Sequence, residues 1–284
     1  MPEGADRNGA AECAISIDEI GVQTARIRNF QLRSFYQPIF QCHRHSLEIC
    51  AVEHAAKAFR AGEPCGEQEF PASLNDDERQ MAKNVEATLE TANFSNLGLE
   101  GLSLLMRCNA EDGGVERRLA DFRGLNWMLG ELGLEPPRFG CAMLDIGNAD
   151  TSRVESLAET LRADGILIAL DNFGEEPRVM EVLPRIAPDI VRISTRFFAD
   201  ICRNKATISL FHALVGTMRN DGITVLVKGI ENAGQLRIAL DAGADQVQGR
   251  FLADFAPVGS DMDEGVLDID EMLGGRKKLV PFRY

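Results

Sequence analysis

Residues 150–171 read DTSRVESLAETLRADGILIALD. Val154, Leu157, Ala158 and Leu161 fall at i, i+3, i+4 and i+7, one apolar face of a helix. Ser152 with Glu155 three residues later has the form of a capping box at its start. Gly165 closes the helix, and GILIALD (165–171) is a nearly continuous apolar run that ends on an acid. Such a run fits a strand buried on both faces, as in a parallel sheet covered by helices. The same unit recurs along the chain. Strands are expected at 35–41, 48–54, 102–108, 139–146, 165–171, 189–194, 223–228 and 245–249. Helical spacing returns at Val179, Val182, Leu183 and Ile186, and at Leu236, Ala239 and Leu240, with Gly243 as a C-terminal stop. Residues 76–92 and 196–219 are also helical in pattern. Eight strands alternating with helices predict an α/β protein with a closed (βα)8-type barrel rather than an open sheet.

Composition bounds what such a barrel does. The chain has 284 residues, 45% hydrophobic and 26% charged, enough for a large core and incompatible with wholesale disorder. No apolar run reaches the roughly 18 residues of a membrane span. Lys and Arg number 30 against 44 Asp and Glu, a net charge of −14. Binding to a nucleic-acid backbone depends on cations that displace counterions, so that class is excluded, while a local basic pocket for a small anion is not. The start, MPEGADRNGAAECAISIDEIG, lacks the apolar core of a signal peptide. The seven cysteines are odd in number and form no CxxC pair, which suits a reduced, cytoplasmic protein. Cys42, His43, His45 and Cys50 are four soft ligand types close together. Their spacing matches no zinc pattern, and neighbours 42 and 43 would point to opposite sides of a strand, so a polar hairpin is expected. Residues 1–28 form a lead-in, 29–257 the barrel, and 258–284 an extension that runs acidic then basic. Leu267, Ile269 and Leu273 suggest a short helix there. The three cations at 276–278 are too few for a membrane anchor and suit a solvated tail.

In a barrel of this kind the functional residues sit at the C-terminal ends of the strands. Those positions carry Glu53, Arg107, Asp145, Asp171, Asn172, Ser194, Lys228 and Gln248. One polar residue there merely marks where a strand becomes a loop. Eight converging on one rim make a candidate site. His54 should face away from Glu53 by strand alternation, and His212 lies on a helix with Ile208, Phe211 and Leu214. No Gly-rich phosphate loop of Walker type is present.

At this point the chain resembles a known family, the EAL-domain cyclic di-GMP phosphodiesterases, from about residue 29 to 257. The resemblance rests on YQPIF (36–40), Val52-Glu53, LIALDNFG (167–174), PDIVRIS (188–194), VKGIEN (227–232) and GADQVQGRFLADFAP (243–257). It implies a modified TIM-type barrel whose first strand runs antiparallel to the others. It also implies a site that opens cyclic di-GMP to the linear dinucleotide, with Mg²⁺ or Mn²⁺ held by carboxylates, an Asn and a Gln.

Set against that pattern, this sequence departs at most of the working positions. Glu53 stands where the signature Glu stands, but the motif reads Glu53-His54-Ala55. Lys57 takes the place of an Arg that contacts ligand phosphate, and Leu105 that of a metal-binding Asn. Ala142 falls at a metal Glu, with Asp145 matching a second acid downstream. Asp171 keeps the first Asp of DDFG and Asn172 replaces the second. Arg192 stands for the Lys that positions the catalytic water, and Lys228 for the Glu that opens EGVE. Glu231, Gln248 and Pro257 are kept. The TGYSSL loop becomes residues 175–180, EEPRVM, which argues against the dimer the family forms beside that loop.

The retained Glu53 and Asp171 are balanced by Arg192 and Lys228, a formal sum of zero. An ammonium at a ligand position repels a divalent cation, so Lys228 is expected to replace the metal and pair with Glu53 or Asp171. The resemblance therefore implies a regulator of cyclic di-GMP signalling without catalytic activity or metal, acting through protein partners. A metal-independent cyclic di-GMP receptor, using Glu53, Lys57, Asp171, Arg192, Lys228, Gln248 and Pro257, is the alternative. A weak phosphodiesterase dependent on Mg²⁺ or Mn²⁺ is the outlier. A homodimer is compatible with any of the three.

Overall fold

The computed structural model describes residues 13–97, 102–109, 120, 123–124, 141–146, 149–175, 177–260 and 266–274. The chain divides into two compact units. One comprises 1–35, 55–97 and 257–259, the other 36–54, 98–256 and 260–284.

The larger unit contains the barrel. Its staves are drawn from β3 (Phe30–Cys42), β4 (Ser46–Arg60), β6 (Ser103–Asn109), β7 (Cys141–Asp145), β8 (Leu167–Phe173), β9 (Ile190–Ile193), β10 (Thr224–Val227) and β11 (Gln246–Val247), while the short β5 (Glu63–Pro64) pairs with the end of β4 in the smaller unit. The hydrogen-bonded order is β3, β11, β10, β9, β8, β7, β6, β4, and β4 closes back on β3. Every neighbouring pair from β4 through β11 is parallel. Only β3 is reversed, antiparallel to β11. All eight expected strands are present, and the antiparallel first stave is as the resemblance implied.

The helices correct two expectations. The helix Thr151–Ala163 is capped by Asp150, whose carboxylate accepts from the Ser152 amide at 3.1 Å, so the cap lies two residues earlier than the Ser152–Glu155 reading. Its buried face is the expected one, Val154, Leu157, Ala158 and Leu161. The stretch 196–219 is two helices, Thr195–Ile201 and Lys205–Asn220, because Asn204 caps the second by accepting from the Ala206 amide. An Asn side chain that competes for backbone donors breaks a helix where apolar periodicity alone runs on.

The smaller unit is a sheet with a helix on one face. β1 (Cys13–Ile17) and β2 (Gln23–Ile27), neither anticipated from the sequence, pair antiparallel, and β2 continues onto the start of β3. They are joined by a turn in which Gly21 takes φ +86°. The Asp18 carboxylate accepts from the Ile20 and Val22 amides and fixes that turn. The helix Asp76–Phe94 lays Ala82, Val85 and Leu89 over Ala25, Ile27, Phe30 and Leu32. Asn75 and Glu78 cap it reciprocally at 2.9 Å each. Asn93, fully buried, accepts from the Gln23 amide and donates to the Gln23 carbonyl and the Ser34 hydroxyl, locking helix to sheet.

Candidate functional site

The site follows from the period of two along each stave. One layer of the barrel interior is apolar: Ile39, Ala51, Leu105, Ala169, Ile190 and Leu226. Two residues further along the parallel staves, the same inward face carries Glu53, Arg107, Asp171, Arg192 and Lys228. On the reversed stave the step runs backward and supplies Gln37. Gln248 arrives from the end of β11. A dry layer below therefore holds a polar layer above, at the C-terminal ends of the parallel strands.

Arg192 is the centre of that layer and is fully buried. Its Nη2 donates to Glu53 Oε2 at 2.6 Å, and its Nη1 donates to Asp171 Oδ2 at 3.0 Å. Nη2 also reaches Gln248 Oε1 at 3.3 Å. Gln248 Nε2 donates to Glu53 Oε2 at 2.9 Å and to Gln37 Oε1 at 3.1 Å, and Gln37 in turn donates to the Ala253 carbonyl. Lys228 Nζ donates to Asp171 Oδ1 at 3.0 Å, and the Asn172 amide donates to the same oxygen at 2.8 Å. Arg107 Nη2 lies 3.7 Å from Glu53 Oε1 and is mostly exposed.

The electrostatics follow from this wiring. Burial pushes the Glu53 carboxyl up, but Arg192, Lys228 and the Gln248 amide outweigh it, so the group lies below its ordinary value. Burial likewise raises Asp171, and Arg192 and Lys228 overcome it and hold it well below the carboxylate range. Burial works against the Arg192 charge, and the two carboxylates overcome it. Lys228 is lowered, chiefly by burial and then by Arg192, against the pull of Asp171 and Glu53. A guanidinium fork suits this place because its planar donors span two carboxylates in a fixed geometry.

Expected site residues separate into those brought together and those that are not. Glu53, Asp171, Arg192, Lys228 and Gln248 form one connected network. Lys228 pairs with Asp171, as one of its two expected options, but the group that bridges both acids is Arg192. Asn172 follows in the left-handed conformation, φ 58°, at an irregularity between Leu170 and Phe173. Ser194 caps the next helix, accepting from the Phe197 amide at 3.1 Å. Lys57 and Pro257 belong to the smaller unit, where the Lys57 ammonium sits 4.4 Å above the Phe35 ring. Asp145 and Ala142 lie on the backbone of β7, with side chains outside the described residues. Of the 175–180 loop, Glu176 is also outside them. His54 packs against Tyr36, with ring centroids 5.1 Å apart. At the β3–β4 hairpin, His43 faces Glu48 at 3.5 Å, and burial pushes the Cys42 and Cys50 thiols up to about 12. Among the described residues no three His, Cys, Asp or Glu side chains gather as a metal cluster. Gln37 was not anticipated. Its signal was an amide between Tyr36 and Pro38 in an otherwise apolar strand.

A closed eight-stranded barrel with one reversed stave and a polar layer at its C-terminal rim defines a modified TIM barrel. The family model described as EAL domain matches residues 125–254, and the fold of the chain is that of EAL-domain proteins. The Bacillus subtilis YkuI protein, with an EAL domain and in complex with cyclic di-GMP and calcium, superposes with a TM-score of 0.65 at 19% identity, over 86% of this chain and 59% of that one. The Xanthomonas citri FimX EAL domain in complex with cyclic di-GMP gives 0.64 at 16% identity, over 81% and 88%. An uncharacterized protein of Azorhizobium caulinodans is 29% identical over 117 residues, 40% of this chain but 16% of that protein. No helix among the described residues is long and apolar enough to cross a membrane.

Proposed function

We propose that this chain is a catalytically inactive EAL-fold protein of bacterial cyclic di-GMP signalling, which acts in the cytoplasm as a regulator through protein contacts. One observation carries the reading: the two retained acids, Glu53 and Asp171, are bonded by the chain's own Arg192 and Lys228. A divalent metal needs carboxylate oxygens with a surplus of negative charge. Here the four charges sum to zero, and a metal would have to displace a fully buried guanidinium, so the residues do not fit Mg²⁺ or Mn²⁺. Burial of Arg192 also counts against its use as a phosphate clamp, since its Nη atoms are already bonded within the protein.

A second reading has a specific observation in its favour. Arg107 is 67% exposed and Lys228 17% exposed in their side chains, two cations that an anionic nucleotide entering the rim would meet. The test is titration calorimetry with cyclic di-GMP, once in EDTA and once with Mg²⁺, followed by product analysis. The proposal expects no binding heat in either buffer and no linear dinucleotide. Micromolar or tighter binding in EDTA makes the protein a metal-independent receptor instead. Hydrolysis with Mg²⁺ or Mn²⁺ overturns the claim of inactivity.

A further inference from the structure

Beyond the barrel site, the smaller unit presents an edge strand that is not protected as edges usually are. β1, Cys13–Ile17, reads CAISI, with no charge, no proline and no bulge, and among the described residues it pairs only with β2. Its backbone has a defined free side. The Asp18 amide donates to the Val22 carbonyl at 3.0 Å, so the Asp18 N–H points toward the β2 side. By the alternation of an antiparallel ladder, Ser16 and Ala14 also turn their backbone groups toward β2. Cys13, Ile15 and Ile17 turn theirs outward.

The side chains continue the same theme. Ile15 pairs with Ala25, which pairs with Leu32, and Cys13 pairs with Ile27, which pairs with Phe30. The apolar face that the helix Asp76–Phe94 covers on β2 and β3 therefore extends onto β1. There it is left open, with Ile15 45% and Ile17 65% exposed and Ile20, in the turn, 69% exposed.

We propose that β1 is a homodimerisation strand, two copies pairing edge to edge and antiparallel about a two-fold axis at Ser16. In that register Ile15 and Ile17 of one copy lie opposite Ile17 and Ile15 of the other, and all four pair through their outward amides and carbonyls. Charge complementarity selects a second copy as the occupant. Asp18 falls opposite the small Ala14 of the second copy, and Ala14 is paired across β1–β2 with Arg26. Arg26 is exposed, and neither it nor Asp18 has an ion-pair partner among the described residues. The two-fold axis makes that contact twice. Pairing joins the β1 edges of two copies into one continuous sheet.

The test is sedimentation velocity on the full chain with three variants. Wild type should sediment as a dimer at about 100 μM. Ile17→Lys, at an exposed position, should fold normally by circular dichroism and weaken the dimer by at least about tenfold, since each dimer loses two isoleucines and gains two facing cations. Leu210→Lys, on the exposed face of another helix, should leave it unchanged. Ser16 sits at a non-hydrogen-bonded pair on the axis, where Cα atoms approach to about 4.5 Å, within disulfide reach. Ser16→Cys should therefore give a reductant-sensitive dimer with a 16–16 link in the peptide map. A monomeric wild type, a dimer indifferent to Ile17→Lys, or the absence of a 16–16 link would each overturn the proposal.

Discussion

Replacing Arg192 with methionine isolates the interaction on which the barrel mouth depends. Methionine keeps much of the length and removes the guanidinium, leaving Glu53 and Asp171 buried beside Lys228, which bonds Asp171, and the mostly exposed Arg107, 3.7 Å from Glu53. Removing one member of a buried ion network costs about 3–5 kcal/mol, because a carboxylate is left without compensation. That is a shift on the order of 10 °C in Tm for a domain of this size. The pH dependence gives the sharper signature. In wild type both acids lie below their ordinary values. Their stabilising contribution is complete above the ordinary carboxylate range and is lost as pH falls through the depressed values. In Arg192→Met burial dominates at Glu53, so its pKa rises. Its cost is then absent below the ordinary value and grows as pH rises through the raised one. The gap between the two proteins should be widest near neutrality and narrow toward pH 4. Urea unfolding followed by circular dichroism at both pH values measures it. A gap under about 1 kcal/mol at neutral pH, or one that does not shrink in acid, refutes the reasoning.

Two further substitutions test how the framework is held. A Cβ on Gly249 would overlap the backbone nitrogen, carbon and oxygen of Ile230, which cannot yield as a side chain does. Gly249→Ala should cost about 3 kcal/mol or more in urea unfolding and displace the adjacent Gln248 from Glu53. In the smaller unit, Asn93→Ala removes the side chain that bonds the Gln23 amide and carbonyl and one donor to the Ser34 hydroxyl, which still donates to the Leu89 carbonyl. A loss of about 2–3 kcal/mol is expected there, read as a lowered urea midpoint, and an unchanged midpoint would mean water replaces the side chain at no cost.

The barrel was legible because its strands are buried on both faces and therefore read as apolar runs. Segments such as LIALD and IVRI leave no polar alternation to confuse with a surface strand. The smaller unit was not legible for the opposite reason. QTARI alternates over only five residues, too few to separate a strand from a lead-in, and CAISI leaves Ile15 and Ile17 in the open. Helix ends were lost where a polar side chain decided them. Asp150 and Asn204 act through a single hydrogen bond each, which apolar spacing does not register.

Of the expected site residues, Glu53, Asp171, Arg192, Lys228 and Gln248 share one network, with Arg192 rather than Lys228 at its centre, and the cause is geometric. Lys228 stands at the end of a strand, where a site residue is expected and the resembled family has an acid. Arg192 sits inside the four-residue strand Ile190–Ile193, all of it buried. A charge in such a strand has a cost that only a carboxylate pair in the barrel offsets. The strand period then leaves one arrangement: Ala51, Ala169 and Ile190 form the dry layer, so Glu53, Asp171 and Arg192, two residues on, must meet above it. The small alanines below both acids leave the bulk of that layer to Ile39, Leu105, Ile190 and Leu226, and the arginine fork occupies the space between the carboxylates. Charge, volume and register thus agree on one cation at the centre of the barrel mouth, and that cation is part of the chain.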